Sequence, residues 1–405
     1  MSSRGIRKAK RKLKKNIKLF FIFSLLILIG FGICYMYFNR DSLFSSTDIS
    51  IKKEEKKKEE KKEPKDYKAS IFMVGDALIH STIYEDARGA DGTYNFKPQL
   101  EAIKPISSKY DLAYYNQETI LGGASLGYSN YPRFNSPTEV GDAFIDAGFN
   151  MVSLATNHTM DKNEQGVLNS VAYWKQFPNV ASSGQWSSAE DRAQNIGKVY
   201  EANNIKYAFI SYTIWNNGLT TPAGKDYLNN EYSPEKAAAD IAAVRDKVDF
   251  VIVAMHWGTE YSLRVDYKQE EIANYLSNLG VDLIIGAHPH VVQTVEYINN
   301  NKTFVIYSLG NFISDQRTIE NNTGLAFEVT LNKHVDVDGT VTNTVIDPKA
   351  ELLYTTSRYY KNFKVVPYPA LTSDQLANSA SYYEKYKAIV SECYPNLVWG
   401  LTWEW

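Results

Sequence analysis

The chain has 405 residues, with 44 Lys and Arg against 46 Asp and Glu, so its formal net charge is −2 and charge is informative only where it is local. Its two cysteines, Cys34 and Cys393, exclude a disulfide framework and a Cys-ligated zinc site. The length and the 44% hydrophobic content suffice for one large domain, or for one domain with an appendage.

Residues 1–18 form a basic tail that includes Arg4, Arg7, Lys8, Arg11, Lys15 and Lys18. Residues 19–38 are apolar and uncharged. As a helix they would be about 30 Å long, enough to cross a bilayer core. The basic flank should stay in the cytoplasm and leave everything after Arg40 outside the cell. A cleaved signal peptide is the competing reading. It calls for a shorter apolar stretch and small residues at the cleavage point, whereas Tyr35-Met36-Tyr37-Phe38 is bulky, so a retained single-pass anchor is preferred. Bulky Ile33 makes Cys34 a poor lipidation site. A basic run beside a spanning helix reads as topology, and no nucleic-acid partner is expected. Residues 39–68 are dominated by Lys and Glu with few large apolar side chains. They cannot bury enough surface to offset their ordering entropy and read as a solvated extracellular spacer. A short exposed helix with Glu–Lys pairs would serve the same end.

From residue 69 the pattern alternates. Strands are expected at 70–74, 112–115, 151–154, 207–211, 250–254, 283–285 and 304–307, several of them continuous apolar runs of the kind buried on both faces. Helices are expected at 140–147, 165–176, 234–247 and 268–279. Ser233-Pro234-Glu235 supplies a cap, a first-turn proline and an acid; Gly280 supplies a stop. This alternation predicts an α/β layered domain over residues 69–325. Residues 325–331 and 341–346 flank Asp336-Val337-Asp338-Gly339-Thr340, a β-hairpin signal, and 375–390 look helical. Residues 326–405 thus read as a hairpin and helical extension packed on the same domain.

Five of the six histidines sit in short polar motifs, most of them directly after an expected strand. Strand carboxyl ends converge on the ligand crevice of open α/β sheets, and His, Asp, Glu and Asn together supply N and O donors for a divalent metal. Asp76 can bind metal or cap the next helix; His80 lies too far along to assign. Glu118 can bridge two metals or be a buried structural acid, with Asn116 supporting by hydrogen bonding. Asn157 offers a neutral oxygen ligand or closes a turn. His158 can protonate a leaving group, and Asp161 can hold its tautomer or simply open a helix. His256 follows an apolar run and is a candidate ligand; Glu260 can orient a ligand histidine or face solvent. His288 and His290, one residue apart, should point to the same side if the segment is extended. Ser308 and Asn311 can line the cleft or form a structural turn, and His334 reads as a surface residue. No Gly-rich phosphate loop, nucleophile elbow or nucleotide fingerprint is present.

Taken in order, Met73-Val74-Gly75-Asp76, Asn116-Gln117-Glu118, Ala155-Thr156-Asn157-His158, His256-Trp257-Gly258-Thr259-Glu260-Tyr261, His288-Pro289-His290 and Ser308-Leu309-Gly310-Asn311-Phe312 resemble the bacterial capsule-synthesis CapA family, the poly-γ-glutamate biosynthesis proteins also called PgsA. The matching stretch runs from about residue 69 to 315. That family is similar to calcineurin-like metallophosphoesterases, which implies a four-layer αββα sandwich with one or two Mn, Zn or Fe ions at its strand ends. It implies metal ligation by Asp76, Glu118, Asn157, His256, His288 and His290, and His158 as catalytic acid; the residue-by-residue reading adds Asp161 as its support and His80, Asn116, Glu260 and Asn311 as candidate further members of the site. Two departures stand out: Ala77-Leu78 replace the usual Asp-x-His continuation, and Glu118 stands where an aspartate is usual. The resemblance implies a membrane-anchored extracellular hydrolase that uses a metal-bound hydroxide in synthesis or export of a poly-γ-glutamate-type polymer. Its partners would be an anionic capsule or envelope polymer and membrane synthase or export subunits. A non-catalytic metal-binding scaffold, or a polymer-binding subunit of such a synthase, is the alternative.

Overall fold

The computed structural model describes residues 63–401 throughout and, before them, Lys14, Lys15, Lys18, residues 22–30, Ile33, Tyr35 and Tyr37. Residues 1–62 form a unit of their own, and their described residues are helical. Among the described residues no helix is long and apolar enough to cross a membrane. Part of the expected anchor at 19–38, Cys34 with it, and the spacer from 39 to 62 lie outside the described residues.

The second unit, residues 63–405, is built on two sheets. The larger carries β1 (Lys65–Leu78), β2 (Leu112–Gln117), β3 (Met151–Ser153) and β4 (Ala181–Ser183) as parallel neighbours. On the other side of β1 lie β12 (Thr323–Val335), β13 (Val341–Arg358) and β14 (Lys361–Pro367), all antiparallel; β11 (Asn311–Ser314) runs parallel to the end of β1. The smaller sheet has the order β5 (Val199–Ala202), β6 (Ile205–Thr213), β7 (Phe250–His256), β8 (Leu283–Ala287), β10 (Thr303–Ile306) and β9 (Val295–Ile298). Its central strands β6, β7, β8 and β10 are parallel.

Strand alternation shows how the layers stack, because successive side chains face opposite sides of a sheet. Ile71 and Met73 of β1 pack in one core with Phe250, Ile252 and Ala254 of β7 and with Leu283 and Ile285 of β8, so the sheets meet face to face. Phe72 and Val74 point the other way, against Val140, Ala143 and Phe144 of helix α1 (Glu139–Asp146) and Trp174 of α2 (Asn163–Trp174). Val251, Val253 and Met255 of β7 face Ala237 and Ile241 of α3 (Pro234–Ala242) and Ile272 and Leu276 of α4 (Tyr267–Asn278). The result is a helix–sheet–sheet–helix sandwich. Buried on both faces, the central strands have the continuous apolar runs seen in the sequence.

Three elements differ from expectation. β1 begins at Lys65, inside the expected spacer, because Lys65–Lys68 pair antiparallel with Val335–Asn332. That gain is main-chain hydrogen bonding, which side-chain composition does not report. β12 pairs directly with β1 from Lys65↔Val335 to Met73↔Phe327, so the residues after 325 are built into the large sheet, β12 at its middle and β13 and β14 continuing it to one edge, rather than forming an appendage. The helix expected over 234–247 stops at Ala242, and Arg245–Lys247 form a single 3-10 turn. There Arg245 donates to Gly280 O (2.6 Å), Asp282 Oδ2 (2.6 Å) and Asp249 O (2.7 Å), tying the segment to the strand entries.

Candidate metal centre

Parallel pairing brings the carboxyl ends of β1, β2 and β3 to one edge, and those of β6, β7 and β8 to the edge facing it. Asp76 lies near the end of β1, Glu118 directly after β2, and Asn157, His158 and Asp161 in the turn after β3. His256 is the last residue of β7, and His288 and His290 follow β8. The two halves touch: the His288 N–H donates to Asp76 Oδ2 (3.2 Å), and His256 Nε2 lies 3.8 Å from Glu118 Oε1.

His288 and His290 converge by a different route from the extended segment expected. Both have positive φ, 97° and 57°, a conformation costing about 1–2 kcal/mol for a residue bearing a side chain. Surrounding bonds hold the turn: Tyr261 N–H to Pro289 O (2.8 Å), Asn321 Nδ2 to His290 O (3.0 Å) and Ser308 Oγ to Val291 O (2.7 Å). Ser308 is therefore a turn residue.

Three overlapping sets of donors result: Asp76, Glu118 and His290; Glu118, His256 and His288; and Glu260, His288 and His290. Within each set the donor atoms lie within 4.8 Å of one another. Glu118 is common to the first two. Asn157 Oδ1 lies 3.0 Å from His256 Nε2, beside the second set. His290 Nδ1 is 3.4 Å from Asp76 Oδ2, and His290 Nε2 is 3.6 Å from Glu118 Oε1. Such spacings suit two donors each about 2.1 Å from a common ion, which places them about 3–4 Å apart.

The chemistry of the set favours a cation. Both carboxylate oxygens of Glu118 and both ring nitrogens of His288 are buried without a hydrogen-bond partner. A buried carboxylate without hydrogen bonds costs several kcal/mol, which a nearby cation offsets. Burial raises the Glu118 carboxyl well above the usual range, with the His290 imidazole opposing. Burial and neighbouring imidazoles lower His256 and His288, leaving them neutral, the form that ligates metals. Burial alone would lower His290 too, but the Glu118 and Asp76 carboxylates raise it to about 9. A proton there does part of what a bound cation would do.

Around these donors lie orienting groups. Asn116 Nδ2 donates to Asp76 Oδ1 (2.8 Å), and the Ser153 hydroxyl donates to Asn116 Oδ1. Asn311 Oδ1 meets His290 Nδ1 at 3.0 Å, while its amide is held by Gln316 and the Asn321 carbonyl (2.9 Å each). His158 Nδ1 lies 2.7 Å from Asp161 Oδ2, which also accepts the Phe134 N–H (2.6 Å). The carboxylate favours an Nδ1–H tautomer and leaves Nε2 to exchange a proton. These residues open on a cleft of about 530 Å³ whose lining includes His80, Arg133, His158, Glu260 and His290. His80 belongs to none of the three donor sets; burial lowers it to about 4, and the Asp315 N–H donates to its Nδ1 (3.2 Å). His334 pairs with Asp66 (2.7 Å) at the surface.

Sequence reasoning passed over Asn217, whose Oδ1 accepts from Asn157 Nδ2 (3.2 Å) and so turns the Asn157 oxygen toward His256. The signal was available: Trp215-Asn216-Asn217-Gly218 follows β6 as the other motifs follow theirs, but it lacks a histidine. Tyr131, Arg133 and Phe134 also line the cleft, on a loop with no strand end to mark it.

Residues 70–316, well over half of the chain, match the family described as bacterial capsule synthesis protein PGA_cap. The chain is similar to the PGA biosynthesis protein CapA of Bacillus subtilis, 32% identical over 42% of this chain and 44% of that protein. It is also similar to the capsule biosynthesis protein CapA of Bacillus anthracis, 26% identical over 62% of this chain and 60% of that protein. The chain thus spans about half the length of these relatives. Among solved structures, a novel phosphatase from Mycoplasma pneumoniae has a TM-score of 0.45 at 16% identity, over 72% of this chain and 96% of that one.

Proposed function

The chain belongs to the bacterial capsule synthesis protein PGA_cap family, and from that premise we propose that it is a metal-dependent, metallophosphoesterase-like hydrolase acting on an anionic capsule or envelope polymer. Asp76, Glu118 and His290 would hold one divalent ion, and Glu118, Asn157, His256 and His288 a second, with Mn, Zn or Fe suited to the mixed N and O donors. Such ions supply Lewis acidity and lower the pKa of water. The chain's own residues do the rest. His158 Nε2 delivers a proton to the leaving group, Asp161 fixes the ring through Nδ1, and the Phe134 N–H fixes Asp161. Among the described residues Arg133 is the one Lys or Arg side chain lining the cleft, and it meets an anionic substrate there.

The observation that carries this reading is that Glu118 and His288, at the centre of the overlapping donor sets, are buried with no hydrogen-bond partner. One feature favours the non-catalytic alternative, a metal-bound scaffold or polymer-binding subunit of a membrane synthase. Ala77 and Leu78, buried at 0% and 2% exposure, fill the space after Asp76 where a phosphatase of this type places a histidine. The basic tail and apolar stretch at 19–38 support single-pass anchoring with the main unit outside the cell, where synthase or export subunits would be its neighbours. The test is turnover. The metal-loaded chain should hydrolyse a phosphoester or a γ-glutamyl polymer, and His158→Ala should abolish that with metal retained. Bound metal without turnover on either substrate selects the scaffold.

A further inference from the structure

Gln316 is a wall shared by the metal cleft and a second hollow of about 320 Å³. Its Nε2 donates to the Tyr261 hydroxyl (3.3 Å), and its Oε1 accepts from Asn311 Nδ2 (2.9 Å), the residue that meets His290. The far side of the hollow is the tip of the β13–β14 hairpin, with Tyr359 and Tyr360 in the lining. Arg358 pairs with Lys361, so these two tyrosines are the whole turn, at φ 52° and 61°. Turns with both central residues at positive φ normally use Asn-Gly, since a bulky side chain is strained there. The strain is not offset by burial: Tyr359 is 85% exposed and Tyr360 48%. The tyrosines carry cations instead. The Arg317 guanidinium lies 4.1 Å from the Tyr360 ring centroid and donates to its hydroxyl (2.7 Å), and Arg358 lies 5.8 Å from the Tyr359 centroid. Lys361 is exposed beside them. Strained, exposed side chains that a cheaper sequence would replace point to a contact surface.

We propose that this hollow and hairpin tip form an outer subsite for an extended anionic polymer whose reacting unit lies in the metal cleft. Charge complementarity supports this occupant: Arg317 lines the hollow, Arg358 and Lys361 flank the two tyrosines at the hairpin tip, and the nearby acids are already engaged, Asp315 by Thr82 (2.8 Å) and Arg317 (3.5 Å) and Asp86 by the Asn362 and Phe363 N–H groups (2.8 and 2.9 Å). Continuity supports it too, because a strand leaving the cleft past Gln316 enters the hollow directly. The guanidinium-backed rings offer flat faces to a polymer backbone while the cations meet its carboxylates. The inference rests on the reading of the cleft as a polymer site.

The experiment is calorimetric titration of the full-length, metal-loaded chain with γ-glutamyl oligomers, short ones of two or three units and long ones of ten or more. Long oligomers should bind about tenfold tighter or better, the gain expected when a second linked contact is added. Tyr359→Asn with Tyr360→Gly should raise the melting temperature by relieving the turn, yet erase the length dependence. Arg358→Gln with Lys361→Gln should erase it without that rise. Both variants should keep full metal content and short-oligomer affinity. Length dependence that survives in both variants overturns the subsite, as does wild-type binding that never strengthens with length. Failure of every oligomer to bind the metal-loaded protein sinks the polymer reading of the cleft as well.

Discussion

Gly75→Ala tests whether the donor edge is held by close backbone contact. An alanine Cβ at position 75 would lie 1.8 Å from Gly310 O and 2.9 Å from Gly310 C. A carbon–oxygen contact needs about 3.3 Å, so β1 and the Gly310 turn must part by about 1.5 Å. The bond from Asp76 N–H to Gly310 O (3.0 Å) would be lost, and the pairing of Asp76 with Asn311 would shift with it. Overpacking of this kind costs about 1–3 kcal/mol and the lost bond about 1, a total of about 2–4 kcal/mol. Asp76 and Asn311 both touch His290, so the same shift should reduce metal uptake. The assay is urea unfolding of the full-length chain followed by intrinsic fluorescence, with elemental analysis after dialysis against metal. Gly224→Ala is the control: its φ is also positive, 75°, but nothing lies within 4 Å of a new Cβ, so it should cost only about 1 kcal/mol and leave metal content unchanged. A Gly75→Ala protein as stable as the control, with its full metal complement, would refute the reasoning.

Glu118→Gln removes a buried charge at nearly constant shape. The metal-free protein should be as stable as wild type or more so, while the stabilisation by added metal, about 2.7 kcal/mol at a hundredfold excess over Kd, should vanish in thermal melts. Asp161→Asn keeps the metal and an oxygen that can accept both bonds, but it loses the charge and brings an NH2 that can turn toward His158 Nδ1 and impose the other tautomer; turnover should fall by about 10²–10⁴-fold with unchanged metal content by elemental analysis. In the metal-free protein His290 is raised to about 9 and holds a proton near neutral pH. Metal binding should release it, so affinity should tighten as pH rises toward that value, and calorimetric heats should scale with buffer ionisation enthalpy. Pockets of unchanged affinity from pH 6 to 9 would count against this assignment.

The strands that carry the donors were legible because they are buried on both faces. Phe250–His256 and Leu283–Ala287 alternate between the inter-sheet core and the helix-facing core, and no polar residue interrupts the run until the donor itself. Donors marked by histidine were legible for the same reason. What composition left hidden was main-chain work: the pairing of Lys65–Lys68 with β12, and the placement of β12 beside β1 across a long sequence separation. Asn217, Arg133 and Phe134 reach the cleft from loops, and their types are ordinary at loop positions. The turn at His288–His290 was anticipated as an extended segment; its positive φ values come from tertiary hydrogen bonds that no local pattern encodes.

The central claim is that Glu118 and His288 are buried for a metal. The direct measurement is metal stoichiometry of the full-length chain, purified in detergent, reconstituted with Mn, Zn or Fe in turn and dialysed, beside His288→Ala. Wild type should retain one or two equivalents, and His288→Ala should lose at least the ion shared by Glu118, His256 and His288. Wild-type protein that stays metal-free after reconstitution with all three, or a variant that keeps the full complement, would contradict the account.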